Sequence, residues 1–166
     1  MIERSYIDSQ FQPSLEDLKR HLRITSGDLD ETIKPYLLAA VDSAEHHIGK
    51  IIARSEFTYS GWFIRSFELK GPGIKIKSVE VDGRSLAEDD YTLNRRTLVI
   101  APDIMGKEMT VNYEAGLVQV PYDISAAILL TATKLFNNPA DTVESLPSMA
   151  KNLLRPHRSW GIDDGE

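Results

Sequence analysis

Met109-Thr110-Val111-Asn112-Tyr113-Glu114-Ala115-Gly116, followed three residues later by Val120-Pro121-Tyr122-Asp123-Ile124, decides how this chain folds. Met109, Val111 and Tyr113 alternate with polar residues, which is the period of a strand with one buried face, and Gly116 ends the run. Beyond Pro121 the period becomes helical, with Ile124, Ala127, Ile128, Thr131, Ala132 and Leu135 on one stripe. Proline suits the first helical position because its missing N–H would have no partner there, and Asp123 faces the positive end of the helix dipole. Asn137-Asn138-Pro139 stops this helix. Sheet and helix therefore meet in one passage, and the fold class is α+β.

Upstream, period-2 spacing runs from Glu56 to Ala115. Phe57 and Tyr59, then Phe63, Phe67 and Leu69, sit among polar residues, and Gly71-Pro72-Gly73 breaks the pattern. Ile74 and Ile76 are followed, after a shift of register, by Val79 and Val81, which lead into the turn dipeptide Asp82-Gly83. Tyr91-Thr92-Leu93 and Thr97-Leu98-Val99-Ile100 flank Asn94-Arg95-Arg96 as a second hairpin. The β insertion spans residues 56–115.

Nearer the N-terminus the period is again helical. Leu15, Leu18 and Leu22 predict a helix over 14–24, with Ser14 as N-cap and Asp17 placed for a capping box. Ile33, Leu37, Ala40, Val41, Ala44, Ile48 and Ile51 predict a longer one over 31–54. Pro35 fits only a first turn, so the cap is expected at Asp30 or Thr32, or the start is kinked. Helices over 121–137 and 147–154 follow, then a polar tail, 155–166, with the lone aromatic Trp160. The expected architecture is a small helical bundle, an N-terminal helix pair plus C-terminal helices, carrying an inserted antiparallel β-sheet and hairpin region.

The chain has 166 residues, 42% hydrophobic and 27% charged, an ordinary globular composition of about one domain. Lys plus Arg number 19 against 25 Asp plus Glu, a net charge of −6. Gripping nucleic acid requires a concentrated basic surface, so DNA is expected at most to pass by. With no cysteine there is no disulfide, thiol nucleophile or sulfur-ligated zinc site. The N-terminus lacks the basic start and apolar run of a secretory signal, and no segment nears the ~18 apolar residues of a membrane span. A soluble protein with no membrane partner is expected.

Motifs for chemistry are thin. Adjacent helical residues point about 100° apart, so His46 and His47 cannot share one ion. His21 and His157 lack a nucleophile-elbow serine nearby. Asp28, Asp30 and Glu31 open like a calcium loop, but Ile33 and Ala39 hold the places of its glycine and glutamate. Glu88-Asp89-Asp90 and Asp163-Asp164 read as a solvated turn and a solvated tail, and Gly71-Pro72-Gly73 lacks a phosphate cradle's lysine. No catalytic, cofactor-binding or metal-ligating residue is singled out, so no enzyme activity and no cofactor are expected. Trp62-Phe63 and Trp160 lie outside the helical stripes, as minor core or as interface anchors. Arg95-Arg96 at a hairpin tip is either simply exposed or touches a phosphate or a partner's carboxylate.

The order of elements resembles a known family. Ser14-Leu15-Glu16-Asp17-Leu18-Lys19-Arg20-His21-Leu22-Arg23-Ile24, an Asp-rich turn, and a long helix with Ala39-Ala40 and Ala44-Glu45 resemble the start of the head-tail connector (adaptor) proteins of long-tailed phages and prophages. Val111 to Gly116 and Val120-Pro121-Tyr122-Asp123-Ile124 are similar to that family's Tyr-x-Ala-Gly and Val-Pro element, and Leu153-Leu154-Arg155-Pro156-His157-Arg158 to its closing Leu-Leu-x-Pro-x-Arg. Leu135-Phe136-Asn137-Asn138-Pro139 departs from the aromatic and Glu-Asn-Arg usual there. The β region places the resemblance in a subgroup with a β insertion.

The resemblance implies a non-enzymatic virion protein, made in a bacterial cytoplasm, with 1–166 as a single connector domain. Its partners would be copies of itself in a ring of about twelve, the portal protein, and a tail or head-completion protein, with DNA passing through the lumen. On that reading Trp160 anchors the tail on the portal or a neighbour while Arg155 and Arg158 pair with acids. Trp62, Phe63, Arg95 and Arg96 lie at subunit contacts or project into the lumen. A tail-completion or stopper protein is the structural alternative, and a small metal-dependent hydrolase using His46 or His47 the enzymatic one.

Overall fold

The computed structural model describes residues 1–7, 12–138 and 146–159. The chain divides into two compact units, a β unit of residues 1–10 and 53–118 and a helical unit of residues 11–52 and 119–166.

In chain order the β unit's strands are β1 (Ile2–Tyr6), β2 (Ser55–Trp62), β3 (Ser66–Glu68), β4 (Lys75–Val81), β5 (Arg84–Ser85), β6 (Tyr91–Asn94), β7 (Thr97–Ile100) and β8 (Glu108–Ala115). They form two antiparallel sheets, ordered β1-β2-β8-β4-β5 and β3-β7-β6. The alternation seen in sequence sets the faces. Phe57 and Tyr59 on β2, Val79 and Val81 on β4, and Met109, Val111, Tyr113 and Ala115 on β8 are buried. Leu98 and Ile100 are buried on β7. The rings of Phe57 and Tyr113 stack at 5.2 Å, and Tyr59 meets Phe67 of the smaller sheet at 4.3 Å, so the apolar faces of the two sheets share one core.

The opposite face of the larger sheet is a polar ladder. Thr58 Oγ1 donates to Asn112 Oδ1 at 2.8 Å, and Asn112 Nδ2 to Ser78 Oγ at 2.9 Å. The register shift read in the sequence is a bulge: Ile76 pairs with Tyr113 and Ser78 with Asn112, leaving Lys77 as the extra residue. Its ammonium lies between Glu56 and Glu114, the latter at 2.9 Å. Asp82 and Gly83, with φ of 49° and 79°, close the β4–β5 hairpin in the left-handed conformation such a two-residue turn requires.

The helical unit contains α1 (Leu15–Leu22), α2 (Asp30–Ile48), α3 (Tyr122–Asn137) and α4 (Ser148–Leu154). Both capping-box bonds of α1 form, Asp17 N–H donating to Ser14 Oγ at 3.2 Å and Ser14 N–H to Asp17 Oδ2 at 2.9 Å. Leu37, Ala40, Val41 and Ala44 on α2 and Ile124, Ala127, Ile128 and Ala132 on α3 are buried. The alanines let the two helices approach closely, and Tyr36 meets Phe136 edge-on at 6.1 Å.

Expectations about the architecture and about the second helix are corrected. The architecture is not a helical bundle with an inserted hairpin region: eight strands in two sheets build a core of their own, which holds the bulky, fully buried Tyr113 and Phe57. Part of that sheet comes from before the first helix, because Ile2–Tyr6 pairs along the whole of its length with β2. The second helix ends at Ile48 rather than near 54, since Gly49 takes φ 73° and its N–H closes on the Glu45 carbonyl. Leu29, not Asp30 or Thr32, is its N-cap, and Pro35 lies inside the helix. Glu45 Oε1 then accepts the Ile52 N–H at 2.8 Å, satisfying the chain where the helix has stopped.

Candidate functional site

Trp62 closes β2 opposite Glu108 and is 76% exposed. Phe63, half-buried, donates its N–H to the Lys107 carbonyl at 2.8 Å. Residues 101–107 fold beside them, and two side chains fix that loop. Arg65 donates to the Ala101 carbonyl at 2.6 Å and the Ile104 carbonyl at 3.1 Å, with its guanidinium 5.8 Å from the Phe63 ring centroid. The Asp82 carboxylate accepts from the N–H groups of Glu108 and Lys107, and those two bonds hold it below the usual carboxylate range. Met105, 77% exposed, sits on this loop, with its sulfur 3.3 Å from Arg65 Nη2. Ile64 is exposed as well, and Met1 reaches the same end of the sheet, its N–H groups donating to the Ser60 carbonyl. Of these neighbouring residues, sequence reading singles out Trp62 and Phe63, and the structure adds the exposed Met1, Ile64 and Met105. The Asp82 turn and Gly106, where a Cβ would fall 2.2 Å from Val81 Cγ1, were the available signals of a fixed loop.

Arg95 and Arg96 form the two-residue tip between β6 and β7, as expected of a hairpin. Arg95 is exposed with φ 56°, and Arg96 is half-buried with Nη2 3.0 Å from Glu68 Oε1. The Leu69 N–H donates to the Arg96 carbonyl, whereas the Ile100 N–H donates to the Arg65 carbonyl. The arginine tip and the Trp62-Phe63 corner therefore lie at opposite ends of the smaller sheet and do not form one surface.

Arg155 opens a 3-10 turn, Arg155–His157, that continues directly from α4, and both Arg155 and Arg158 are exposed. This start of the expected tail is tied into the helical unit. Ser159 N–H donates to the Ile48 carbonyl at 2.7 Å, and His157 Nε2 lies 2.6 Å from Asp123 Oδ2 at the start of α3. Asp123 is partly desolvated, which raises its pKa, but the bonds from His157 and the Ile124 N–H outweigh this and the net shift is downward. His47 is pushed down, first by burial and then by the nearby positive charges of Arg158 and Lys151. Trp160 lies outside the described residues.

Metal-type and acidic motifs are dispersed. The exposed His46 ring bonds within its own helix, to the Asp42 carbonyl at 3.0 Å, while His47 is half-buried near Arg158. No group of three metal-ligating side chains occurs among the described residues. No hydroxyl is hydrogen-bonded to His157 among them either. Glu88–Asp90 is a 3-10 turn leading into β6. A shallow depression of about 320 Å³ on the polar face of the larger sheet is lined by the Thr58, Ser78 and Asn112 side chains that already bond one another.

With this geometry in place, solved structures supply the match. The fold is similar to that of chains in gene transfer agent particles. One such chain belongs to the neck of an empty particle computed with C6 symmetry, with a TM-score of 0.74 at 18% identity, covering 99% of this chain and 98% of that one. Another belongs to the neck of a native particle computed with C12 symmetry, with a TM-score of 0.73 at 17% identity and the same coverage. A third comes from the virion of a native particle, with a TM-score of 0.71. No protein-family model matches the chain, and no curated protein sequence does.

Proposed function

We propose that this chain is a structural subunit of a virion neck, a head-tail connector that acts by contact and catalyses nothing. The observation that carries this is the end-to-end match, 99% of this chain against 98% of a chain from a neck computed with C12 symmetry. The subunits form a closed ring of about twelve, in which one surface of each copy meets a different surface of the next. The portal protein lies on one side and a tail or head-completion protein on the other. A net charge of −6 suits a lumen through which DNA slides, since a basic wall would retain it.

Within this reading, Trp62 and Phe63, with Met105 beside them, supply an apolar contact, and Arg95 and Arg96 supply a separate polar one. The C-terminal segment engages the portal or a neighbouring copy, with Trp160 as anchor and Arg155 and Arg158 pairing with acids. Because residues 155–159 are tied to the helical unit, truncation after Ser159 is the informative deletion. Negative-stain images and mass photometry of the purified chain should show closed rings of one size. Monomers at every concentration, with and without a portal, would overturn the reading.

A further inference from the structure

We propose that the smaller β-sheet continues from one copy of the chain into the next, with β6 of one copy lying parallel against β3 of its neighbour. This rests on the ring reading above and names the surface through which copies meet.

The strand order β3-β7-β6 leaves β3 and β6 as the two outer strands. Both run antiparallel to β7, so they run parallel to each other. Rotation about an axis along the strands preserves their direction. A ring built that way brings β6 of one copy beside β3 of the next in parallel orientation, and each copy contributes two different edges, as a closing heterologous contact requires.

The backbone groups along both edges are oriented for this. The hairpin closes on Asn94 and Thr97, so Asn94 and Thr92 exchange bonds with β7, while Tyr91 and Leu93 direct their N–H and C=O outward. On β3, the bonds of Leu69 to Arg96 and of Ile100 to Arg65 turn odd-numbered residues toward β7, leaving Ser66 and Glu68 to face outward. Among the described residues these outward groups have no strand partner. Such edges are ordinarily blunted by lysine or proline, but β6 reads Tyr-Thr-Leu-Asn and β3 Ser-Phe-Glu. Thr92, Asn94, Ser66 and Glu68 are exposed.

Charge selects the orientation. Glu88-Asp89-Asp90 precedes β6 and Arg95-Arg96 follows it, whereas Arg65 precedes β3 and Glu68 ends it. Parallel alignment with Thr92 beside Ser66 sets the acidic turn near Arg65 and Arg95 near Glu68. Antiparallel alignment would set acid against acid and arginine against arginine, which costs stability.

The chain has no cysteine, so engineered thiols give an unambiguous readout. Within one copy residues 66 and 92 are separated by β7, about 9–10 Å, beyond the roughly 7 Å that a disulfide spans. Mild oxidation of the full chain carrying Ser66→Cys with Thr92→Cys should give a ladder of covalent oligomers on a non-reducing gel. Each single variant should stay monomeric on that gel, as should a Ser66→Cys, Ser85→Cys control pair. Mass photometry runs alongside. Rings without a ladder overturn the shared sheet and leave the ring reading standing; neither rings nor a ladder overturns both. Dimers from Thr92→Cys alone would mean that β6 meets β6, and a ladder from the control pair would mean random collision; either result overturns the proposal.

Discussion

Asp123 Oδ2 and His157 Nε2 lie 2.6 Å apart, joining the first turn of α3 to the 3-10 turn that follows α4. Replacing Asp123 with Asn removes the charge that His157 and the Ile124 N–H both address. The pair is partly exposed, so the expected loss is modest, about 1 kcal/mol at pH 7. Asp123 has a lowered folded-state pKa, so its contribution is present above the ordinary carboxylate range and is lost as pH falls through the folded value. Urea denaturation of the two proteins should therefore differ at pH 7 and converge as the pH falls below the ordinary carboxylate range. A gap that stays constant across this range would refute the electrostatic account.

Gly116 presents its Cα to the chain entering β2. A Cβ there would fall 2.8 Å from Arg54 Cα, at φ 129°. Both the clash and the conformation oppose Gly116→Ala, which should cost more than about 2 kcal/mol. Gly83 offers a comparison, because its φ is 79° but nothing lies within 4 Å of its Cβ position. Gly83→Ala should cost only the left-handed penalty, about 1–2 kcal/mol. Equal urea midpoints for the two variants would show that crowding at Gly116 contributes nothing.

Phe57 is 1% exposed and stacked on Tyr113. If the β unit depends on its own core, Phe57→Ala should lose about 3–5 kcal/mol. Tyr113→Phe should lose about 1 kcal/mol, since the phenol accepts the Lys70 N–H at 3.2 Å. A Phe57→Ala protein with an unchanged urea midpoint would contradict the two-sheet core.

Lys77 is the bulged residue whose ammonium holds the Glu114 carboxyl below its ordinary range, with Arg54 assisting at 3.2 Å. Lys77→Met should move the Glu114 titration upward, though not fully to the ordinary value while Arg54 remains. An NMR titration of the side-chain carboxyl carbons reads this directly, and an unmoved Glu114 would deny the contact.

Much of this was legible in the sequence where local rules act alone. Ser14 with Asp17, the Asp82-Gly83 turn, the Arg95-Arg96 tip and the shifted register before Val79 are all decided within a few residues. The rest depended on distance. Ile2-Glu3-Arg4-Ser5-Tyr6 has too few apolar residues to declare itself a strand, because an edge strand buries little. Its Arg4 is spent on Ser55 Oγ at 3.0 Å and on the Tyr6 ring, partners that no spacing reveals. Ile51 prolonged the apolar stripe past Gly49, and only the left-handed φ of that glycine shows the helix had stopped. Likewise, Trp62 and Arg95 could be chosen as exposed candidates, but strand pairing alone sets them at opposite ends of a sheet.

Ile7, Arg54 and Gly116 come together at one edge of the β unit, Ile7 N–H donating to the Arg54 carbonyl and Gly116 lying against Arg54. At this margin the described chain enters β2 and leaves β8. The Asp82-Gly83 turn lies at the opposite end of β4 and β8, so a foreign peptide or a fluorescent tag grafted between Asp82 and Gly83 would project from the sheet away from that margin. Such a label would lengthen the β4–β5 turn and leave the Arg54–Gly116 margin as it is.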